Sequence, residues 1–281
     1  MYTLNCKGTL VVIDKPLVMG IINANNNSFY EGSRNNSIDQ TLASARKMLA
    51  EGADILDIGG QSTHPESIAI SANEEMDRVI PAIEIIVKNF PDAIISIDTY
   101  YSKVAKASVK AGAKIVNDIS AGNLDIDMIS TVASLNVPYI AMHMKGTPQT
   151  MKNLAHYEDI TREVLDYFIQ KIDECNRAGI KDIILDPGFG FAKTIDQNFE
   201  LMRNLSVFKI LEKPLLVGIS RKATIYKTLH ISAEDALNGT TVLNAFALQN
   251  GADIIRVHDV KEARENITLY EILKKNQKNF F

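Results

Sequence analysis

A short apolar run ending in a polar residue, followed by a stretch of helical length, recurs eight times along the chain. The runs are Leu17–Ile22, Ile55–Ile58, Ile94–Ile97, Lys114–Val116, Tyr139–Met142, Ile183–Leu185, Leu215–Ile219 and Ile254–Val257. Continuous aliphatic runs of this length read as strands buried on both faces, as in a parallel sheet covered by helices. Between them, apolar residues take helical spacing. Leu42, Ala45, Met48 and Leu49 do so within Ile38–Glu51, and Val164, Leu165, Phe168 and Ile172 within Thr161–Ala178. Gly52, Gly112, Gly179 and Gly251 follow such segments, where a left-handed C-terminal cap favours glycine. Three of these junctions nearly repeat: Gly52-Ala53-Asp54-Ile55, Gly112-Ala113-Lys114-Ile115 and Gly251-Ala252-Asp253-Ile254.

Eight βα units is the count that closes a barrel. The expected fold is therefore α/β, a (β/α)8 TIM barrel preceded by a short N-terminal β-hairpin in residues 1–15, whose two runs flank Lys7-Gly8. An open doubly wound sheet is the alternative, but no dinucleotide glycine fingerprint follows the first run. No linker or low-complexity tract divides the chain, so one domain over 1–281 is expected.

The 281 residues carry 30 basic and 34 acidic side chains, a net charge of −4, and are 46% hydrophobic and 23% charged. These proportions are those of a globular domain and exclude disordered, collagen-like and coiled-coil chains. Mild acidity argues against a nucleic-acid partner, which calls for a concentrated basic patch. No apolar run approaches the roughly 20 residues of a membrane-spanning helix. The opening Met1-Tyr2-Thr3-Leu4-Asn5-Cys6-Lys7 lacks the blocks of a secretory signal. Cys6 and Cys175 match neither a CxxC nor a zinc spacing and read as free thiols. A cytoplasmic protein without nucleic-acid or membrane partners is expected.

Active sites of such barrels lie at the C-terminal ends of the strands. Those ends carry Asn23, then Asp57 with Gly59-Gly60, Asp98-Thr99, Asn117-Asp118, His143, Asp186-Pro187-Gly188, Ser220-Arg221-Lys222, and Arg256 with His258-Asp259. Any single Asp, Asn or Ser here is as readily the N-cap of the next helix. Caps do not require cations, so Arg221, Lys222, Arg256 and His258 call for another explanation. Asp98, Asn117 and Asp186 suit a flat heterocycle with several N–H donors. Lys222, Arg256 and His258 supply positive charge where barrels often hold phosphate. A nitrogen heterocycle carrying a phosphate or diphosphate uses both halves. Met142, Phe189 and Phe191 read as walls of a ring slot or as core, His143 as a hydrogen-bonded mouth residue, and His156 and His230 as surface.

In these residues the chain resembles the dihydropteroate synthases of folate biosynthesis. The resemblance runs through Met19-Gly20-Ile21-Ile22-Asn23, Gly52–Gly60, Ser96-Ile97-Asp98-Thr99, Val116–Gly122 and Met142–Met151. It continues through Asp186-Pro187-Gly188-Phe189-Gly190-Phe191, Gly218-Ile219-Ser220-Arg221-Lys222 and Arg256-Val257-His258-Asp259. It implies condensation of (7,8-dihydropterin-6-yl)methyl diphosphate with 4-aminobenzoate. It further implies Asp98, Asn117, Asp186 and Lys222 around the pterin, Asn23 as a ligand of Mg2+, and Asn23, Arg256 and His258 at the diphosphate. Thr63, His64, Ser220 and Arg221 would surround the aminobenzoate, and Lys222, Arg256 and His258 would be the catalytic set. A homodimer built through later helices is implied as well.

Two loops depart from the family pattern. Where the family usually reads Asn-x-Thr-Pro-Asp-Ser-Phe, this chain has Asn23-Ala24-Asn25-Asn26-Asn27-Ser28-Phe29. Where it reads Glu-Ser-Thr-Arg-Pro-Gly, this chain has Gln61-Ser62-Thr63-His64-Pro65-Glu66. An acid and an arginine are thus lost together, as expected if they face one another. The changes leave two readings open: a working synthase with altered loop closure, or a pterin binder with weak or altered condensation. His64, when protonated, would partly replace the arginine and make turnover pH-sensitive near neutrality. A methyltetrahydrofolate-type methyltransferase is a third reading, but such enzymes have no need of the cationic strand ends.

Overall fold

The computed structural model describes residues 1–24, 31–61 and 69–277. It begins with the expected hairpin: β1 (Tyr2–Cys6) pairs antiparallel with β2 (Thr9–Ile13), in register from Tyr2 opposite Ile13 to Cys6 opposite Thr9. Barrel strands and helices then alternate. They are β3 (Leu17–Asn23), α1 (Glu31–Ala50), β4 (Ile55–Gly59), α2 (Ala72–Asn89), β5 (Ile94–Asp98), α3 (Ser102–Ala111), β6 (Ile115–Asp118) and α4 (Met128–Leu135). They continue as β7 (Tyr139–Met142), α5 (Ile160–Ala178), β8 (Ile183–Asp186), α6 (Ile195–Arg203), β9 (Leu216–Val217), α7 (Ala223–Leu229), α8 (Leu237–Gln249), β10 (Ile254–Val257) and α9 (Val260–Gln277).

The eight strands from β3 to β10 are parallel, in the order β8-β7-β6-β5-β4-β3-β10-β9. A parallel bridge between Leu185 and Leu215 joins the two edges, which removes the unpaired edge an open sheet would expose. The α/β barrel with its N-terminal hairpin is as expected.

Side chains alternate across a strand, so the inner face of each barrel strand takes every second residue. The lower inner layer is apolar: Leu17, Met19, Ile55, Ile94, Ile115, Ile140, Ile184, Leu216 and Ile254 form one buried cluster with Leu4, Cys6 and Ile13 of the hairpin. The hairpin therefore plugs the N-terminal end of the barrel. Each such side chain contributes roughly 1.5–3 kcal/mol when fully buried. Two residues further along, the same inner face turns polar, at Asp57, Ser96, Asn117, Asp186 and Arg256. The intervening residues Leu56, Ile95, Val116, Leu185 and Ile255 belong to the second buried cluster, which packs sheet against helices. A closed floor and a polar mouth follow from one alternation.

Boundaries differ from the expected ones where side-chain pattern is silent. Helix α1 starts at Glu31 rather than near Ile38, because Glu31 to Ser37 contain no apolar residue to mark a buried face. Strand β9 is two residues long, although Leu215–Ile219 is uniformly suited to a strand. The chain turns after it, with Lys222 N bonded to Ile219 O at 3.2 Å and Arg221 in the left-handed region at φ 54°. Gly179 caps α5 at φ 95°, as its position predicted. Among the described residues no helix is long and apolar enough to cross a membrane. Cys6 and Cys175 are buried and unpaired, and burial pushes both thiols up to about 12.

Candidate active site

The upper inner layer centres on Arg256. Its Nε donates to Asp57 Oδ2 at 2.6 Å and its Nη2 to Asp98 Oδ2 at 2.5 Å. Asp57 is fully buried and its Oδ2 also accepts from Asn117 Nδ2 at 3.0 Å. Asp57 thus aligns a cation from β10 and an amide from β6. Burial opposes the Arg256 charge, but Asp57 and Asp98 outweigh it and hold the proton more firmly than usual. Burial raises Asp98 above the carboxylate range; Arg256 opposes this and the Asp57 charge adds to it. The sequence expectation placed Arg256 at the diphosphate, yet its guanidinium lies on two carboxylates of the ring half. Three of its five N–H groups remain for an anion.

Beside this network, Asp186 Oδ1 accepts from Gly188 N at 2.8 Å. Burial raises Asp186, with Lys222 opposing. Lys222 Nζ donates to Phe189 O at 2.7 Å and sits 4.7 Å from the centre of the Phe191 ring. Burial lowers its ammonium to about 8, against the pull of Asp186. Phe191 lines the cavity and packs in one buried cluster with Met142, whereas Phe189 belongs to the sheet–helix core. Gly188 has φ 72°, and a Cβ there would lie 2.1 Å from His143 O. Gly188→Ala is therefore expected to destabilise the protein by about 3 kcal/mol or more, since a backbone clash adds to left-handed strain. Urea unfolding midpoints check this; a change below about 1 kcal/mol would show that the loop yields freely.

Ser220 and His258 form the other half. Ser220 Oγ lies 3.0 Å from His258 Nδ1 and accepts from His258 N at 3.2 Å. Burial, with the Arg256 charge, lowers His258 to about 4. It is therefore neutral at pH 7, a correction to the expectation of a cation. Arg221 is also more committed than expected for an aminobenzoate ligand. Its Nε and Nη2 clamp the two oxygens of Asp259 at 2.8 and 2.9 Å, and its Nη1 donates to Ala233 O at 3.0 Å and to Glu234 O. It ties the end of β9 to the end of β10.

Asn23, Asp98, Ser220, Arg221, Lys222, Arg256 and His258 are among the residues lining a cavity of about 760 Å³, whereas Asp57, Asn117 and Asp186 are buried and do not line it. That volume suits a drug-sized ligand. Thr63 and His64, with the Asn25–Phe29 loop, lie outside the described residues. Asn23 is exposed at the end of β3. Gln61 reaches the cavity and donates from Nε2 to Tyr100 Oη at 2.5 Å. His143 is buried 3.0 Å from Lys193 Nζ, and burial keeps it neutral; His156 and His230 are exposed. Sequence reasoning left Asp57 and Lys193 off the site. For Asp57 the signal was there: it stands two residues past the plug residue Ile55, on the inner face.

Among the described residues no group of three or more His, Cys, Asp or Glu side chains could hold a metal ion. Asn23 offers one amide oxygen. Such a donor set fits Mg2+ only as that ion is usually held, by substrate phosphates and water with one or two protein ligands.

A barrel mouth that sets buried carboxylates and an amide beside Lys222, and an arginine with free N–H groups beside Ser220 and His258, is that of a pterin-binding enzyme, and residues 19–258 match the family described as pterin binding enzyme. The chain is 40% identical over 267 residues to the dihydropteroate synthase of Escherichia coli strain K12, covering 94% of each chain. The Xanthomonas albilineans dihydropteroate synthase solved with 4-aminobenzoic acid superposes with a TM-score of 0.89 at 35% identity, over 97% of this chain and 98% of that one. The same enzyme in complex with 7,8-dihydropteroate gives 0.85 at 33% identity, over 97% and 98%. The chain belongs to the dihydropteroate synthases, transferases of folate biosynthesis.

Proposed function

We propose that the strand-end residues described above perform the family's condensation. The pterin ring lies between Asp98, Asn117, Asp186 and Lys222; its N–H edge meets carboxylates and its acceptors meet the ammonium. The diphosphate extends toward Asn23, Arg256 and His258. The aminobenzoate approaches from the side of Ser220 and Arg221, and the family resemblance would assign Thr63 and His64 to the same substrate. The bond from the pterin methylene to the diphosphate oxygen breaks, the aniline nitrogen bonds to that carbon, and an aniline proton is released. Negative charge grows on the leaving oxygens, where the free N–H groups of Arg256 and His258 stabilise it. Mg2+ held at Asn23 would neutralise further phosphate charge and orient the leaving group. Fixing both reactants in line supplies the rest of the acceleration.

One observation carries the reading: Arg256, held by Asp57 and Asp98, lines one cavity together with Asp98, Lys222, Ser220 and His258, so groups suited to a ring and groups suited to an anion meet at its guanidinium. Incubation with the pterin diphosphate, Mg2+ and labelled 4-aminobenzoate is expected to give dihydropteroate and diphosphate in equal amounts. Pterin binding with neither product would reject the synthase reading.

His258 makes this half pH-sensitive. A bound diphosphate raises its proton affinity from the low value of the free site, so binding takes up a proton and tightens as pH falls. Inorganic pyrophosphate is expected to bind about 3- to 10-fold more tightly at pH 6 than at pH 8, relative to His258→Asn. An unchanged ratio in that variant would remove His258 from the diphosphate site.

A homodimer is part of the same proposal. Val242 and Phe246 on α8 and Leu269, Ile272 and Leu273 on α9 are exposed on two packed neighbouring helices. An apolar patch of this kind suits a second copy of the same surface. Phe246→Glu is expected to shift sedimentation from dimer to monomer, and a wild-type monomer would contradict the assignment. Two buried, unpaired thiols fit a reducing, cytoplasmic setting.

A further inference from the structure

Lys193 follows a loop whose backbone is folded tightly: Gly188, Gly190 and Ala192 all have positive φ, at 72°, 82° and 48°. Such a run turns carbonyls inward, and they need donors. The Lys193 side chain folds back under its own loop. Its Nζ bonds to Gly188 O and Phe191 O, both at 3.0 Å, to His143 Nδ1 at 3.0 Å and to His143 O at 3.4 Å. Four acceptors around one nitrogen call for the three N–H donors of an ammonium. Burial lowers its proton affinity to about 7, with Asp186 opposing.

The same loop holds Lys222 on its other side. Phe189 O accepts from Lys222 Nζ, and the Phe191 ring lies beneath that ammonium. The Lys193 bonds at residues 188 and 191 bracket both contacts. Asn198 Oδ1 holds Gly190 N at 2.7 Å and Tyr157 Oη holds Ala192 O at 3.0 Å, so the loop has outer anchors that do not depend on Lys193. Removing the ammonium would leave the Phe191 carbonyl without its Lys193 donor and the Gly188 carbonyl with the Phe191 N–H at 3.1 Å, while those anchors stay.

We propose that Lys193 is a positioning residue of the ring half-site, setting the Phe189–Phe191 backbone through which Lys222 is aimed at the pterin. The inference rests on the reading that Lys222 holds the pterin. Lys193 acts at one remove, so its contribution passes through Lys222 rather than adding to it.

A double-mutant cycle tests this with the full chain. Lys222→Met is expected to raise KM for the pterin diphosphate about 10-fold or more, and Lys193→Met by a similar factor, with KM for 4-aminobenzoate within about twofold. The double variant is expected to be within about twofold of Lys222→Met alone. Lys193→Arg, which keeps the charge and several donors, is expected to recover most of the loss. Effects that multiply in the double variant, or Lys193→Met within about twofold of wild type, overturn the proposal. If Lys222→Met leaves KM unchanged, the pterin assignment itself fails, which is a different result. Should Lys193→Met fail to fold, Lys193→Gln, which keeps one donor group, carries the same cycle.

Discussion

Arg256→Met is expected to abolish measurable turnover and to destabilise the protein by about 3–5 kcal/mol, the usual loss when one partner of a buried ion pair is removed. Arg256 compensates two carboxylates at once: Asp57 is wholly buried and the Asp98 side chain is 14% exposed. Among the described residues neither has another cation bonded to it. With methionine at 256, Asp57 keeps only the Asn117 amide, and its Oδ1 already lacks a partner. A second substitution separates stability from activity. Asp57→Asn in the Arg256→Met background removes the uncompensated charge and is expected to restore more than half of the lost stability, while turnover stays absent. Urea midpoints and the coupled product assay read the two quantities independently. Stability unchanged in Arg256→Met would mean that solvent reaches Asp57 in solution.

Asp186→Asn is expected to lower kcat/KM for the pterin diphosphate by about 10²–10⁴, with little change in stability. A carboxylate accepts two hydrogen bonds from the N–H edge of a pterin, and bonds to a charged group contribute about 1.5–3 kcal/mol each. An amide turns an NH2 donor toward one of those ring donors. Stability changes little because Asn keeps an oxygen for the Gly188 N–H and removes a carboxyl that burial already disfavours as an anion. The loss should fall on the pterin substrate and leave KM for 4-aminobenzoate nearly untouched. Equal losses for both substrates would place Asp186 outside the ring site.

Most of this architecture is legible in the residues because two periodicities nest. Alternation along a strand separates Ile184 from Leu185 and returns to the inner face at Asp186; it does the same for Ile254, Ile255 and Arg256. A reader with the eight runs can therefore place the plug, the sheet–helix core and the mouth. Which mouth residues bond to one another is not legible, since the pairings of Arg256 with Asp57 and Asp98 span 199 and 158 positions. Arg221 shows the same limit. Its residue type suits a carboxylate of a substrate, yet its left-handed backbone brings it to Asp259. His258 fails as a cation for another reason: charge at neutral pH depends on burial and on Arg256, which no local pattern encodes. Lys193 carries no periodic signal at all, because three of its four partners are backbone carbonyls and the fourth, the His143 ring, lies 50 positions away.

The central claim is that one cavity holds the ring and the diphosphate on separate halves. Titration calorimetry with 6-hydroxymethyl-7,8-dihydropterin and inorganic pyrophosphate, in the presence of Mg2+, tests it directly. Each ligand is expected to bind once per chain, and pyrophosphate is expected to bind the pterin-saturated protein with the same stoichiometry. Mutual exclusion of the two ligands would contradict the account.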